Sequence, residues 1–208
     1  MKIIAFILVP IAAYLISALN PAIILSKAVY KKDIRNEGSG NPGITNFKRV
    51  FGGKLAWVVF FLDILKGAVI SVLAGLVFTA ADMDWDLGVA YAAVYAMLGH
   101  AFPVYYGFKG GKGFLVALST SFFLDWRAGI IATLVMVVLV LTVKYMSLAT
   151  MCGLLCGVLS YAVFEAKFIP AALYALCVIF MIARHHENID RLINGTEKKF
   201  SLGHKKEA

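Results

Sequence analysis

Seven apolar runs, separated by short charged connections, occupy most of the 208-residue chain at about 3–25, 55–81, 87–108, 114–124, 128–143, 145–164 and 168–183. This alternation constrains the fold more than any other feature. Four of the runs reach the roughly 20 residues that a helix needs to cross about 30 Å of hydrocarbon. Those at 128–143 and 168–183 are marginal, and 114–124 is too short to cross alone. Hydrophobic residues make up 61% of the chain and charged ones 15%, against about 25% charged in a soluble domain. One soluble core cannot hide that much apolar surface. The reading is an all-α, polytopic helical membrane protein forming a single domain over 1–208. The first run is too long for a cleaved signal peptide and lacks its small-x-small site.

The net charge of +8 resolves into local clusters. Lys27, Lys31, Lys32, Arg35, Lys48, Arg49 and Lys54 follow the first run, which only Lys2 precedes. The positive-inside rule makes that loop cytoplasmic and leaves the N-terminus outside. Asp82, Asp84 and Asp86 then suit the outer side, and Lys109 and Lys112 the inner. Arg184, Arg191, Lys198, Lys199, Lys205 and Lys206 place the C-terminal tail inside. An outside start and an inside end require an odd number of crossings. Seven satisfies this if 114–124 and 128–143 each cross, and five if that pair forms a re-entrant hairpin. In the seven-span arrangement, with Lys144 also inside, sixteen of the 20 Lys and Arg lie inside, Lys2, Arg127 and Lys167 lie outside, and Lys66 is within a helix. Basic charge confined to membrane loops argues against a nucleic-acid partner. Cys152 and Cys156 share a helix face, but with no His or acid at ligand spacing they read as packing residues, not a metal site.

Three polar segments fall on the cytoplasmic side by this topology. The first is Gly38-Ser39-Gly40-Asn41-Pro42-Gly43-Ile44-Thr45-Asn46, ending at Arg49. Its glycines let the backbone fold back and aim N–H groups at one spot, while Arg49 offers a fork that suits phosphate. The second runs from Gly99-His100 to Lys109-Gly110-Gly111-Lys112-Gly113. A Gly-Gly-Lys-Gly run opening an apolar helix puts backbone N–H groups and an ammonium where an anion binds. It is not a Walker A loop, because the spacing differs and no Ser or Thr follows Lys112. The third, Arg184 to Glu197, continues the last run; on a continued helix His185 and Asn188 share a face. Each alone reads equally well as a turn-rich connector or a surface helix. Together they make one cationic, hydroxyl-bearing site at the inner ends, facing outer connections expected to be acidic and apolar. That suits a phosphorylated substrate meeting a lipid. Asp63 and Lys66, three apart within the second run, are expensive in lipid; they read either as functional or as a helix ion pair bracing the loop from below.

These residues resemble the bacterial membrane glycerol-3-phosphate acyltransferases of the PlsY type. The family motif Ser-Gly-Asn-Pro-Gly-x-Thr-Asn-x-x-Arg is matched from Ser39 to Arg49. Gly-His-x-x-Pro-Val followed by Phe-x-Gly-Gly-Lys-Gly is matched from Gly99 to Gly113. His-x-x-Asn-Ile-x-Arg-Leu with a later Gly-x-Glu is matched from His185 to Glu197, and Asp63-x-x-Lys66-Gly67 is also familial. Departures are Ile44 where Ala is usual, Phe114-Leu115-Val116 where Val-Ala-Thr is usual, and Ala18-Leu19-Asn20-Pro21 in the first span.

The resemblance implies transfer of an acyl group from acyl phosphate to the sn-1 hydroxyl of glycerol 3-phosphate in the bacterial inner membrane. Lysophosphatidic acid and phosphate are the products, in the first acylation of phospholipid synthesis. An upstream enzyme must make the acyl phosphate, and neither cofactor nor metal is needed. The implied roles give the donor phosphate to Ser39 and Arg49, and glycerol 3-phosphate to Gly110, Gly111, Lys112 and Gly113. Asn41, Gly43, Thr45, Asn46 and His100 also line the substrate site. His185 and Asn188 position the attacking hydroxyl, with His185 or a substrate phosphate accepting its proton. Asp63, Lys66 and Glu197 support. A transporter of a phosphorylated metabolite is the alternative, although transporters place their polar groups at the midplane.

Overall fold

A computed structural model describes residues 1–200, so Lys205 and Lys206, used above to orient the tail, lie outside the described residues. The described chain is a bundle of ten α-helices with no strand: α1 Lys2–Ala18, α2 Pro21–Tyr30, α3 Ile44–Phe51, α4 Leu55–Ala80, α5 Trp85–Ala101, α6 Phe114–Leu124, α7 Trp126–Thr142, α8 Met146–Glu165, α9 Phe168–Ala183 and α10 His186–Ile193.

The first apolar run is broken at Leu19-Asn20. Pro21 cannot donate to the preceding turn and restricts the residue before it, so the helix restarts with Pro21 at its first position. Asn20 caps the new start by accepting from the N–H of Ile23 at 3.1 Å.

Large apolar side chains face outward, among them Phe61, Leu65, Leu76, Leu134, Leu141 and Ile179. The interior is built from small residues: Ala92, Ala93 and Ala96 of α5 are all but inaccessible. This inversion of the soluble pattern is expected where lipid is the solvent and helices associate by close packing. α5 sits centrally against α1, α4, α6 and α9. Its glycines set the approach: a Cβ on Gly99 would lie 2.2 Å from the Tyr14 carbonyl oxygen.

Four helical stretches are individually long and apolar enough to span a membrane: Lys2–Tyr30 taken together, Leu55–Ala80, Trp85–Tyr106 and Met146–Glu165. α9 and α10 make a fifth if the pair, bent by 59°, is taken as one span. α6 has 11 residues, about 16 Å of rise. It nevertheless runs antiparallel to α5 from end to end. Gly113 lies against Met97 and His100, and at the other end the Trp85 indole donates to the Phe123 carbonyl at 2.9 Å. α7 then starts beside Glu165, at the end of α8, and packs along that helix. The end carrying the Lys- and Arg-rich loops is called the basic end below.

The sequence predicts one continued helix through His185, and the structure corrects this. The helix breaks at Arg184 and His185. α10 is polar along Glu187, Asn188 and Arg191, while Ile189 and Leu192 pack on the core. Turning away from the bundle axis lets α10 keep its polar face wet and its apolar face covered.

Candidate active site at the basic end

The loop before α3 is folded by its own polar residues. The Ser39 N–H donates to Asn46 Oδ1 at 2.9 Å, and Asn46 Nδ2 donates to the Glu37 carbonyl at 2.9 Å. Gly38 has φ +61°, and a Cβ there would fall 2.3 Å from Asn46 Oδ1. Asn46 is therefore buried as the organiser of the turn, its amide directed at backbone. Gly43 caps α3 next to Asn41, with Thr45 half-buried in the first turn. Ser39 and Arg49 lie exposed on the open side; no hydrogen bond or ion pair within the described residues uses their side chains.

Arg35 ties this loop to the next. It donates to the Tyr106 carbonyl at 2.6 Å while gripping Asp33 at 2.7 Å. The Arg35 hydrogen bonds, helped by Lys27, hold the Asp33 carboxyl well below the usual carboxylate range. Asn20 adds a second tie, donating to the Pro42 carbonyl at 3.1 Å.

The glycine run after α5 folds back on that helix. Gly110 and Gly111 donate to the carbonyls of Ala101 and His100 at 3.0 and 3.1 Å, satisfying the orphan acceptors of a helix C-terminus. The expectation that the whole run offers free N–H groups is corrected to this extent. Only the N–H groups of Lys112 and Gly113 donate to no acceptor among the described residues. The glycines are required sterically, since a Cβ on Gly110 would sit 2.1 Å from the His100 carbonyl and one on Gly111 2.4 Å from His100 Nε2. The latter point is also 3.2 Å from the Pro42 carbonyl, so the first two loops abut there.

The third segment closes the site. Lys112 Nζ donates to Asn188 Oδ1. Asn188 Nδ2 donates to Glu197 Oε1 at 2.6 Å, which also accepts from Ser147 at 2.7 Å, and Glu197 Oε2 accepts from Arg191 at 2.7 Å. Burial pushes the Glu197 carboxyl up, but the bonds from Arg191, Asn188 and Ser147 outweigh it and hold the group ionised below its ordinary range. Glu197 therefore orients Asn188 and is saturated by its own partners. Burial pushes the Lys112 ammonium down to about 8, aided by Arg191 and Arg184 and opposed by Glu187 and Glu197. His185 is buried with Nδ1 2.8 Å from the Met181 carbonyl. That contact needs the proton on Nδ1 and leaves a lone pair on Nε2.

Asp63 and Lys66 form a buried ion pair at 2.8 Å, and His100 packs on Lys66 with its Nδ1 3.0 Å away. No group of three or more His, Cys, Asp and Glu able to hold a metal occurs among the described residues. Sequence reasoning missed Ser147, Asn20 and Arg35 as site builders. Asn20-Pro21 was visible as a departure and Arg35 as loop charge, whereas Ser147, at the start of an apolar run, carries no local signal.

A helical membrane bundle with an exposed Arg, a half-buried Lys and unused backbone donors at one end defines a protein built to meet an anion at a membrane face. Similarity is more specific. The family described as glycerol-3-phosphate acyltransferase matches residues 7–195. The glycerol-3-phosphate acyltransferase of Thermoanaerobacter pseudethanolicus is 40% identical over 204 residues, 97% of this chain and 98% of that one. Its counterpart in Syntrophotalea carbinolica is 39% identical over 198 residues, 94% and 98%. The crystal structure of PlsY (YgiH), an integral membrane glycerol 3-phosphate acyltransferase, in its glycerol 3-phosphate form superposes with a TM-score of 0.86 at 33% identity, covering 94% of this chain and 96% of that one. The lysophosphatidic acid form gives 0.83 at 32% identity, covering 94% and 95%. The chain belongs to the glycerol-3-phosphate acyltransferase family and is an integral membrane protein.

Proposed function

We propose that this chain moves a fatty acyl group from acyl phosphate to the sn-1 hydroxyl of glycerol 3-phosphate, releasing lysophosphatidic acid and inorganic phosphate. It acts as a single domain crossing a bacterial plasma membrane seven times, with its basic end in the cytoplasm. The observation that carries the reading is the convergence of three loops, far apart in sequence, on Lys112: Pro42 abuts Gly111, and Asn188 receives the Lys112 ammonium.

The chemistry follows from these groups. The sn-1 oxygen attacks the carbonyl carbon, a C–O bond forms, and the carbonyl-to-phosphate bond breaks with its electron pair on the departing phosphate. Phosphate is a good leaving group, so no covalent enzyme nucleophile is required. The protein's task is to hold two mutually repelling phosphates close and to steady the developing oxyanion. Ser39 and Arg49 hold the donor phosphate and orient its carbonyl. Asn41, Gly43 and Thr45 shape that loop and Asn46 fixes it. Lys112, with the N–H groups of Lys112 and Gly113, holds glycerol 3-phosphate against the Gly110-Gly111 turn. Asn188, oriented by Glu197, and the bare Nε2 of His185 position the hydroxyl. Its proton passes to a phosphate oxygen of the substrate, with His185 as the orienting acceptor.

The substrate implies an upstream enzyme that makes acyl phosphates, and the product is a lipid that stays in the membrane. The test uses purified protein in lipid vesicles with labelled glycerol 3-phosphate and, separately, acyl phosphate, acyl-CoA or acyl carrier protein as donor. Labelled lysophosphatidic acid with acyl phosphate alone is expected. Product from a thioester donor would overturn the donor assignment. No product, with uptake of label into the vesicles, would replace the enzyme with a transporter.

A further inference from the structure

The acyl-transfer scheme gives Asp63 and Lys66 no direct part, yet both are buried and both point at a residue of the site. Lys66 Nζ contacts four acceptors: Asp63 Oδ1 at 2.8 Å, the carbonyls of Ser17 and Leu19 at 3.2 and 3.1 Å, and His100 Nδ1 at 3.0 Å. The two carbonyls belong to the C-terminal end of α1, where helix acceptors lack intrahelical partners. An ammonium has donors only. The imidazole nitrogen that faces it must therefore present a lone pair. Asp63 Oδ1 is 3.8 Å from the same nitrogen, beyond hydrogen-bond reach, and cannot draw a proton there. In the neutral ring the proton is then on Nε2.

Nε2 points the other way, into the glycine turn. It is the atom that a Cβ on Gly111 would strike, where the Pro42 and Gly111 backbones meet. No hydrogen bond among the described residues uses it. His100 is only 4% exposed, so water does not dictate the ring's state from outside. A lone pair aimed at a phosphate oxygen repels it, and an N–H attracts it. The tautomer thus decides whether His100 helps or hinders an anion in the turn.

We propose that Lys66, braced by Asp63, is a positioning residue that fixes His100 in its Nε2–H form, so that His100 donates to the phosphate of the substrate seated at Gly110–Gly113. The inference rests on the reading of that turn as the glycerol 3-phosphate site. It also sets the two buried histidines of the basic end in opposite forms: His185 carries its proton on Nδ1 and offers a lone pair, and His100 does the reverse.

Two measurements test it. Nitrogen-15 NMR of histidine-labelled protein in lipid nanodiscs, with His100→Gln to assign the signal, should show an unprotonated Nδ1 and a protonated Nε2 for His100. A proton on Nδ1, or on both nitrogens, would overturn the proposal. Kinetics give the second measurement. Lys66→Met should lower kcat/KM for glycerol 3-phosphate about 10- to 100-fold, mostly through KM, the size of one lost hydrogen bond to a charged group. In a His100→Gln background the amide donor has no tautomer to choose, so Lys66→Met should cost less than about threefold. Equal losses in both backgrounds would make Lys66 a structural residue only and end the proposal. If Lys66→Met does not accumulate in membranes, the wild-type spectrum decides. Wild-type protein that makes no lysophosphatidic acid would instead remove the acyl-transfer reading, which the spectrum does not depend on.

Discussion

At the far end of the bundle, away from the Lys- and Arg-rich loops, charges meet their opposites. Arg127 lies 2.7 Å from Asp125 and 2.8 Å from Glu165, and Lys167 bridges Asp84 at 2.7 Å and Asp86 at 2.8 Å. Tyr161 adds a hydrogen bond to Asp86 at 3.0 Å. The seven-span sequence reading places Arg127 and Lys167 on that side among acidic and apolar residues, and the structure adds that the two cations neutralise those acids. At the basic end Arg35 pairs with Asp33 and Arg191 with Glu197 in the same way, but two cations of the site have no acidic partner among the described residues. Lys112 meets the neutral Oδ1 of Asn188, while Glu197, the acid that Asn188 contacts, is saturated by Arg191, Ser147 and Asn188. Arg49 has no ion-pair partner among the described residues. Charges that cancel staple helices together; charges kept apart from counter-ions are ready for an anion from outside.

The sharpest way to break that contrast is to remove a waiting cation. Lys112→Met and Arg49→Met should each lower kcat/KM by about 10²–10³, the range seen when one preorganised donor to developing charge is lost, with helix content and expression unchanged. Losses under threefold would mean that these cations are solvated loop charge. His185→Gln comes next. With a substrate phosphate as proton acceptor, the expected loss is about tenfold, from poorer orientation of the hydroxyl. A loss of about 10²–10⁴ would instead make His185 the general base.

The contrast was only partly legible in the sequence. Run lengths and Lys/Arg bias give the helices and the gathering of three motifs at one end, because lipid imposes its rule locally on every span. They overshoot where apolar residues lie outside helices: the run to 108 includes Phe102, Tyr105 and Phe108, exposed beyond the end of α5 at Ala101. They also miss the break at Asn20-Pro21 and the turn at His185, which depend on a proline and on the surface α10 finds. What was not legible is pairing at long range. Nothing near Ser147 announces Glu197 fifty positions later. Nothing in Gly-Gly-Lys-Gly shows that two of its N–H groups close the end of α5. The motif fixed residue types; tertiary contacts decide which donors stay free.

Acidity offers a gentler probe of the same difference. Burial has pushed the Lys112 ammonium down to about 8, so below that pH the group is charged and above it the charge is lost. Because the cation is what attracts phosphate, kcat/KM for glycerol 3-phosphate should fall on the alkaline side, approaching tenfold per pH unit above about 8. Bound phosphate favours the ammonium, so the limb belongs in kcat/KM and not in kcat. Lys112→Arg should abolish the limb, since a guanidinium remains charged throughout. An unchanged limb in that variant would assign the titration to another group.

The smallest kinetic effect is expected at the far end, and its smallness is the point. Tyr161 is fully buried, and Tyr161→Phe keeps the ring's packing while removing one hydrogen bond to Asp86. Lys167 still faces that carboxylate, so Asp86 is not left alone in the interior. The cost should be about 1–2 kcal/mol of stability, read as a lower melting temperature in detergent, with kcat and KM within about twofold of wild type. If the two ends are built for different work, stability and activity separate in this variant, whereas Lys112→Met moves activity and leaves melting nearly unchanged. A Tyr161→Phe enzyme that melts normally but turns over slowly would show that the far end is coupled to the chemistry through the helices between them, and that the division of labour is wrong.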